Sequence, residues 1–390
     1  MQIPELTSFN LSGQRVLIRE DLNVPVSQGK VSSDARIQAA LPTLRYALDQ
    51  GAKVIVMSHL GRPREGVPVA DQPEVSLAPV ARHLAGLTGY RVQLIDNYVD
   101  GFDLPEADIV LLENVRVNRG EAANDDGLAR KLAALCDIFV MDAFGTAHRA
   151  QASTAGITAF APLACAGPLL TAELKALGKA LQAPRQPVVA IVGGSKVSSK
   201  LEVLDALTEK VDALIVGGGI ANTFLAANGV GVGRSLHEPA LLDAARRIQA
   251  KVQVPLPVDV VVGNSLSPGG QSRICPINAV RDDEMILDIG PQTQAKCSEI
   301  ITPAGTIIWN GPVGVFELPV FSAGTRAIAA TVAGNEGFSI AGGGDTLAAI
   351  EQFGIADQVS YISTGGGAFL EFVEGKALPA VVALQARSEN

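Results

Sequence analysis

Paired cysteines, aromatic side chains and long apolar runs are all scarce in this chain of 390 residues. Its four cysteines lie far apart without metal-ligand spacing, so free thiols in a reducing compartment are expected. No apolar run reaches the ~20 residues of a membrane-spanning helix. The first ten residues contain no basic segment followed by an apolar one, so no secretory signal is expected. These absences predict a soluble, cytoplasmic protein.

The chain also has fewer basic than acidic residues. The formal net charge is −9, which argues against general nucleic-acid binding because that function needs a basic surface. However, 12 of the 20 arginines fall in the first 150 residues, where local clusters suit a specific anion. Single cores stop growing near ~250–300 residues, so the length and the 47% hydrophobic content predict two packed domains.

Adjacent glycines are absent from the first 150 residues, whereas the rest of the chain has five glycine runs. Four of them directly follow an apolar stretch that is typical of a buried strand. Glycine at such places lets the backbone approach a bulky ligand and leaves N–H groups free for phosphate oxygens. We therefore expect a small-anion site in the first half and a nucleotide site in the second. The runs are 193–194, 217–219, 269–270, 342–344 and 365–367.

Short apolar runs alternate with amphipathic stretches along almost the whole chain. This alternation predicts an α/β fold with parallel sheets and right-handed crossovers. Apolar spacing predicts helices over 33–50 and 169–181, and we expect the second helix to join two domains. Strands are predicted at 15–21, 53–59, 108–114, 138–143, 188–192, 213–216, 258–262, 306–310, 338–341 and 361–363.

Polar residues follow the predicted strands of the first half. In open parallel sheets, ligands bind beyond the carboxyl ends of the strands, and the planar fork of arginine suits carboxylate and phosphate. An aspartate among these arginines would accept a hydrogen bond from a substrate hydroxyl. A single arginine is more often a solvated surface ion pair, so the prediction depends on several strand ends carrying such groups. The predicted cluster is Asp21, Asn23, Arg36, His59, Arg62, Arg116 and Arg149.

The glycine runs of the second half indicate phosphate binding without a P-loop. The GxxxxGK[ST] sequence is missing, but three of the runs join a predicted strand to a helix N-terminus. Unpaired N–H groups and partial positive charge favour phosphates there. Lys196 and Lys200 share one helix face, and Asp345 is the predicted Mg²⁺ ligand. One glycine run alone would more often be a tight turn.

Nine segments together closely resemble the phosphoglycerate kinase family, over essentially the full length of the chain. They are 21–25 (DLNVP), 58–63 (SHLGRP), 111–116 (LLENVR), 142–149 (DAFGTAHR), 193–197 (GGSKV), 217–219 (GGG), 309–317 (WNGPVGVFE), 343–346 (GGDT) and 363–368 (STGGGA). Gln151 replaces a histidine that is common in the family and so removes one cation near the anion site. The departures from the family's pattern are Glu20, Val117, Gln151, Ser195 and Ile220.

The resemblance implies two Rossmann-like domains joined by an interdomain helix. Residues 1–167 would bind 3-phosphoglycerate, 168–184 would form the helix, and 185–377 would bind Mg-ADP or Mg-ATP. The tail 378–390 would pack back on the N-terminal domain. The implied activity is reversible phosphoryl transfer between 1,3-bisphosphoglycerate and ADP, giving 3-phosphoglycerate and ATP in glycolysis. We expect Mg²⁺ with the nucleotide, and a monomer that bends at a hinge.

The site residues of the family carry over position by position. Its substrate-binding residues correspond to the anion cluster above, and its catalytic residues correspond to Arg36 and Lys196. Its metal-binding aspartate corresponds to Asp345 and its ribose-binding glutamate to Glu317. The implied nucleotide-binding residues are Lys196, Lys200, Gly217, Gly218, Gly219, Asn310, Glu317, Gly343, Gly344, Asp345, Thr346, Gly365 and Gly366.

Two other functional classes compete with this one. A non-catalytic nucleotide-binding protein of the same fold would be supported by loss of Arg36, Lys196 or Asp345, and all three are present. A dehydrogenase would need a glycine fingerprint with an acidic residue ~20 positions further on, which the sequence does not contain. Turnover with 3-phosphoglycerate and ATP, compared with NAD titration, separates these classes.

Overall fold

A computed structural model describes residues 3–267 and 269–388, in which the chain forms two compact units. The first unit comprises Met1–Lys175 with Ala377–Asn390, and the second comprises Ala176–Lys376. All four cysteines are free thiols, as predicted, and all four are buried. None of the helices in the described residues combines the length and the apolar character that a bilayer crossing requires.

The first unit contains one parallel sheet and a separate hairpin. Its strands are β1 (Arg15–Arg19), β2 (Val26–Ser27), β3 (Lys30–Val31), β4 (Lys53–Met57), β5 (Val92–Ile95), β6 (Ile109–Leu112), β7 (Ile138–Met141) and β8 (Leu163–Ala166). β2 and β3 form the hairpin, and the others form a parallel sheet in the order β5-β6-β4-β1-β7-β8. β4, β5 and β6 lie on one side of β1, and the later strands β7 and β8 lie on the other side, so the strand order reverses at β1. Ligands bind beyond the carboxyl ends of strands at such a switch point.

Helices connect and cover these strands. They are α1 (Ala35–Asp49), α2 (Ala78–Thr88), α3 (Asp126–Ala133), α4 (Ile157–Phe160) and α5 (Pro168–Leu181). Val16 and Ile18 of β1 belong to one core cluster with Ile37 and Leu41 of α1. Because helices cover the sheet, its inner strands are almost continuously apolar. These apolar runs are the sequence pattern that predicted the strands. The boundary between the two units lies inside α5.

The second unit contains a five-stranded parallel sheet in the order β10-β9-β14-β15-β16. The switch point of this sheet lies between β9 and β14, because β10 is added on one side of β9 and β14 on the other. Trp309 of β14 is 1% exposed and packs in the core of this sheet. The strands of the unit are β9 (Val188–Val192), β10 (Ala213–Val216), β11 (Asp259–Gly263), β12 (Ser272–Pro276), β13 (Met285–Ile289), β14 (Thr306–Asn310), β15 (Phe338–Ala341) and β16 (Tyr361–Ile362).

The expectation that every sheet is parallel is wrong for β11. This strand begins one residue later than predicted and pairs antiparallel with β12 and β13 in a separate three-stranded sheet. The connection 264–271 between β11 and β12 is shorter than the dozen or so residues that a parallel crossover needs. The glycine run 269–270 therefore lies in a hairpin connection.

Eight more helices lie in the described part of the chain after α5. They are α6 (Leu201–Leu207), α7 (Gly218–Ala227), α8 (Leu242–Lys251), α9 (Pro291–Ile301), α10 (Ala323–Ala333), α11 (Gly344–Phe353), α12 (Gly366–Val373) and α13 (Pro379–Ser388). The last of them, α13, belongs to the first unit. There Arg387 donates hydrogen bonds to the carbonyl oxygens of Ala161 and Pro162, at 2.8 and 2.9 Å.

Candidate active site

The carboxyl edge of the first sheet carries the predicted anion cluster. The turn after β1 provides Asp21 and Asn23, and the first turn of α1 provides Arg36. The Arg36 guanidinium donates a 2.7 Å hydrogen bond to the carbonyl oxygen of Asn23, and it lies 3.4 Å from the Asp21 carboxylate. The Asn23 side chain accepts a hydrogen bond from the backbone N–H of Gly61, at 2.9 Å. The loops after β1 and β4 and the start of α1 are thereby connected.

Arg62, Arg116 and Arg149 differ in how the protein holds them. Arg116 is partly buried and lies 3.4 Å from the carbonyl oxygen of Gly61. Arg149 follows β7 and is exposed, with its Nε 3.4 Å from His148. Arg62 is exposed, and within residues 3–267 and 269–388 its side chain has no hydrogen bond to the rest of the cluster. Arg62 therefore extends from the edge into solvent.

His59 lies at the centre of the positive charge. Its side chain is 3% exposed, and its Nδ1 lies 3.3 Å from Nη2 of Arg19. Burial and the charges of Arg19, Arg116, Arg149 and Arg36 hold the pKa of His59 well below its usual range. The imidazole is therefore neutral. Because a guanidinium only donates, Nδ1 accepts and Nε2 carries the hydrogen.

Arg19 is a residue that the sequence prediction missed. It is fully buried at the end of β1, and its Nε donates to the hydroxyl of Ser153 at 3.1 Å. Ser153 in turn donates from its backbone N–H to the carboxylate of Glu121, at 3.0 Å. Burial lowers the pKa of Arg19, and the charge of Glu121 opposes this. The one sequence feature that could have indicated Arg19 is its position as a charged residue within the predicted strand 15–21.

Positive charge exceeds negative charge at this edge. Burial and the neighbouring Arg19 and Arg149 lower the pKa of Arg116 to about 10. Its Nε is buried and has no hydrogen-bond partner among the described residues. A buried donor without an acceptor costs ~1–3 kcal/mol, so a bound anion would relieve both the charge repulsion and the unpaired N–H.

The switch point of the second sheet is formed by glycines in close contact. The backbone N–H of Gly193, after β9, donates to the carbonyl oxygen of Asn310 at 3.0 Å. A Cβ atom at Gly193 would overlap the carbonyl oxygen of Pro312, and one at Gly219 would overlap that of Ser195. Only glycine lets these loops meet at such distances, which explains the runs that follow β9 and β10.

A cavity of about 330 Å³ opens beside this switch point. Asn310 is 3% exposed, accepts a hydrogen bond from the Lys200 ammonium and donates to the carbonyl oxygen of Gly342 at 2.6 Å. The Thr346 hydroxyl accepts from the N–H of Gly311 at 2.7 Å. Burial lowers the pKa of Lys200, while the charge of Asp345 raises it. The lining includes Gly193, Gly194, Ser195, Lys200, Asn310, Gly343, Gly344, Asp345, Thr346 and Gly366.

A second cavity, of about 300 Å³, has more apolar walls. Leu236 and Leu266 line it and are 52% and 60% exposed, so a flat apolar group would gain by covering them. Glu317 lies on the same wall. Gly194, Ser195 and Asp345 line both cavities, so the polar and apolar cavities adjoin. Together they suit a molecule with a charged part and a ring.

Several predicted nucleotide residues lie outside both linings. Lys196 is exposed and lines neither cavity. Gly217 and Gly365 are the residues directly before α7 and α12. At the start of α7, the N–H groups of Gly218 and Ile220 donate to the carbonyl oxygens of Val313 and Gly194, both at 3.2 Å. Gly218 and Gly219 line the second cavity.

A magnesium site built by the protein alone is not present among the described residues, which contain no group of three metal-ligating side chains. Asp345 is an exposed carboxylate where the two cavities adjoin. One carboxylate fits Mg²⁺, because this ion keeps several waters and takes its other ligands from phosphates.

Comparisons with known proteins agree with these motifs. The phosphoglycerate kinase family profile matches residues 6–376. The chain is similar to the phosphoglycerate kinase structure from Coxiella burnetii, with 53% identity and a TM-score of 0.93, covering 99% of this chain and 100% of that one. It is also similar to the enzyme from Pyrococcus horikoshii OT3, with 32% identity and a TM-score of 0.85 over 99% and 100% of the two chains. The α/β fold with parallel sheets is confirmed, and the chain belongs to the phosphoglycerate kinase family.

Proposed function

We propose that the two units of this phosphoglycerate kinase each bind one substrate. The enzyme is a phosphotransferase with a carboxyl group as acceptor, which interconverts 1,3-bisphosphoglycerate and ADP with 3-phosphoglycerate and ATP. The domain of residues 1–167, with the tail 378–390, takes the phosphoglycerate, and the domain of residues 185–377 takes the nucleotide. The main support for an anion site in the first unit is the excess of positive charge around the neutral His59 side chain. The buried Nε of Arg116, which has no hydrogen-bond partner among the described residues, adds to this support.

The chemistry needs no general base. In the direction of ATP use, the attacking group is the carboxylate of 3-phosphoglycerate, which is ionised at neutral pH. What the reaction requires is stabilisation of charge on the transferring phosphoryl group. Arg36 and Lys196 would supply positive charge at that point, and the N-termini of α11 and α12 would direct N–H groups at the nucleotide phosphates.

The roles carry over from the family resemblance, and the cavity linings and contacts support them. Asp21 and Asn23 would position the hydroxyl side of 3-phosphoglycerate, and Arg62, Arg116 and Arg149 with His59 would bind its phosphate and carboxylate. Lys200, Asn310 and Thr346 would hold nucleotide phosphates, and Glu317 would contact the ribose. Mg²⁺, held by Asp345, would neutralise part of the phosphate charge.

The remaining expectations belong to this proposal as well. We infer a cytoplasmic monomer that acts in glycolysis. Because each substrate binds one unit, transfer requires a hinge motion that brings the reacting atoms within ~3–3.5 Å.

A coupled assay tests the function directly. We expect ATP consumption that depends on 3-phosphoglycerate and Mg²⁺, and no binding in an NAD titration. Arg116→Ala is expected to raise the KM for 3-phosphoglycerate and to leave nucleotide affinity unchanged. ATP binding without turnover, with all substrates present, would instead support the non-catalytic nucleotide-binding alternative.

A further inference from the structure

The loop that carries Lys196 is anchored from outside by one carboxylate. Glu238 accepts a hydrogen bond from the backbone N–H of Ser198 at 2.8 Å and another from its hydroxyl at 2.6 Å. Ser198 stands two residues after Lys196, in the segment between β9 and α6. Each carboxylate oxygen of Glu238 accepts one of these hydrogen bonds. The pair therefore fixes the orientation of the loop as well as its distance from Glu238.

Glu238 is itself held against the neighbouring glycine loop. Its backbone N–H donates to the hydroxyl of Thr223 at 3.0 Å, and that hydroxyl donates to the carbonyl oxygen of Gly219 at 2.9 Å. Gly219 packs directly on the backbone of Ser195. A closed set of contacts therefore runs from the glycine loop through Thr223 and Glu238 back to the loop of Lys196.

The carboxylate is ionised at neutral pH. The Ser198 hydroxyl lowers the pKa of Glu238 most among the favourable contacts, backbone N–H groups of Ser198 and Val197 add to this, and the charge of Lys196 contributes. Glu238 is half-buried, whereas Ser198 and Lys196 are exposed. An exposed lysine has many rotamers, so its usefulness in catalysis depends on a backbone that does not move.

We propose that Glu238 is a positioning residue for phosphoryl transfer: it fixes the 195–200 loop and thereby the direction in which Lys196 extends. Glu238 touches neither cavity lining and would not contact the substrates. This inference rests on the proposed role of Lys196. A hydrogen bond to an ionised carboxylate is stronger than one between neutral groups. Because Ser198 donates two such bonds, the 195–200 loop is more rigid than the solvent exposure of its residues alone indicates.

The first test compares Glu238→Ala with Glu238→Gln. We expect Glu238→Ala to lower kcat about 10-fold, with KM for ATP within about twofold, because the loss of positioning acts on the transition state. Glu238→Gln keeps an acceptor of the same shape and is expected to recover most of kcat. Glu299→Ala, an exposed glutamate of α9, is the matched control and keeps wild-type kcat.

The second test is a double-mutant cycle. In a Lys196→Ala background, Glu238→Ala should lower kcat by less than about twofold, since the group it positions is gone. The same 10-fold loss in both backgrounds, or wild-type kcat in Glu238→Ala, overturns the inference. Melting temperature and ADP calorimetry of each variant check that a merely structural loss is not the cause.

The outcomes separate this inference from the proposed function. If Lys196→Ala lowers kcat strongly while Glu238→Ala does nothing, only the positioning role fails. If Lys196→Ala itself keeps wild-type kcat, the catalytic role of Lys196 fails, and the role of Glu238 fails with it.

Discussion

The side chains of Lys196 and Lys200 have different environments. Lys200 is half-buried and held by Asn310, whereas Lys196 is exposed. The prediction that the two lysines share one helix face is wrong, because α6 begins only at Leu201. A lysine bound in the resting protein suits ground-state binding. A free one suits a group that meets charge only when the phosphoryl group moves.

We therefore expect Lys196→Ala to lower kcat by about 10²-fold or more, with a much smaller change in KM for ATP. Steady-state kinetics in both directions measure this. Lys251→Ala, at the end of α8, serves as the control for loss of an exposed lysine. A kcat within a factor of about three of wild type would remove Lys196 from catalysis.

Arg62→Ala should mainly weaken binding of 3-phosphoglycerate. Arg62 is exposed and extends from the anion edge, and a clamp on a non-reacting phosphate acts equally on ground state and transition state. Isothermal titration calorimetry of 3-phosphoglycerate and of ADP gives the answer. Impaired nucleotide binding with unchanged phosphoglycerate affinity would show that Arg62 acts in the other half-site.

Asp288 in β13 gives the protein a built-in pH dependence of stability. Its side chain is 1% exposed, and one carboxyl oxygen accepts from the N–H of Gly324 at 2.7 Å. The other oxygen is buried without a hydrogen-bond partner among the described residues. Burial raises the pKa of Asp288 to about 7. The folded state therefore holds this proton over a range where the unfolded chain has lost it.

The sign of the effect follows from that difference. The stabilisation is complete below the unfolded pKa and is lost as pH rises through the folded pKa. We expect Asp288→Asn to remove a slope of ~1.4 kcal/mol per pH unit in the free energy of unfolding between about pH 4 and 7. Urea denaturation across this range measures it, with exposed Asp282→Asn as the control. Equal slopes in wild type and Asp288→Asn would contradict the raised pKa.

At the scale of elements, sequence periodicity found most of the parallel strands. β9, β10, β14 and β15 have the predicted bounds, because strands covered on both faces are short apolar runs. β8 was missed, since Leu163–Ala166 consists mainly of small residues with weak strand preference. β12 was missed because its apolar residues do not mark a buried face: Ile274 is 60% exposed, whereas the neighbouring Cys275 is buried, and the strand ends at Pro276.

The candidate site shows a similar division. The strand-end arginines could be predicted because topology alone brings strand ends to one edge. Arg19 offered only the signal of a charged residue in a predicted strand. The contacts of Arg19 and Glu238 with Ser153 and Ser198 could not be predicted, since these partners are distant in sequence and only the tertiary fold brings them together. Buried charge and side-chain contacts leave no periodic pattern.

The close packing at the N-terminus of α7 can be tested by substituting Gly219. A Cβ at Gly219 would overlap the carbonyl oxygen of Ser195, so the two loops would have to separate. We expect Gly219→Ala to weaken ADP binding at least about 10-fold and to lower the melting temperature, because backbone atoms must move. Gly231→Ala is the control, since no heavy atom lies within 4 Å of a Cβ there. Equal ADP affinity in both variants would contradict the close-packing argument.

At the scale of the whole molecule, the proposed motion has a measurable signature. If each substrate binds one unit, neither ligand alone contacts both, so each should produce only partial closure. We expect the radius of gyration to fall most when 3-phosphoglycerate and Mg-nucleotide are added together. Small-angle X-ray scattering measures this. Identical scattering from the free and doubly liganded enzyme would contradict the hinge motion or the assignment of half-sites.

The return of α13 to the first unit has a consequence for biosynthesis. Ala380 and Leu384 are fully buried there, yet the ribosome makes them only after the whole of Ala176–Lys376. At ~5–20 residues per second, that interval lasts roughly 10 to 40 s. During that interval, the nascent first unit has all six strands of its parallel sheet but exposes the apolar surface that α13 later covers. The newly made chain is therefore open to chaperones and to aggregation until α13 leaves the exit tunnel.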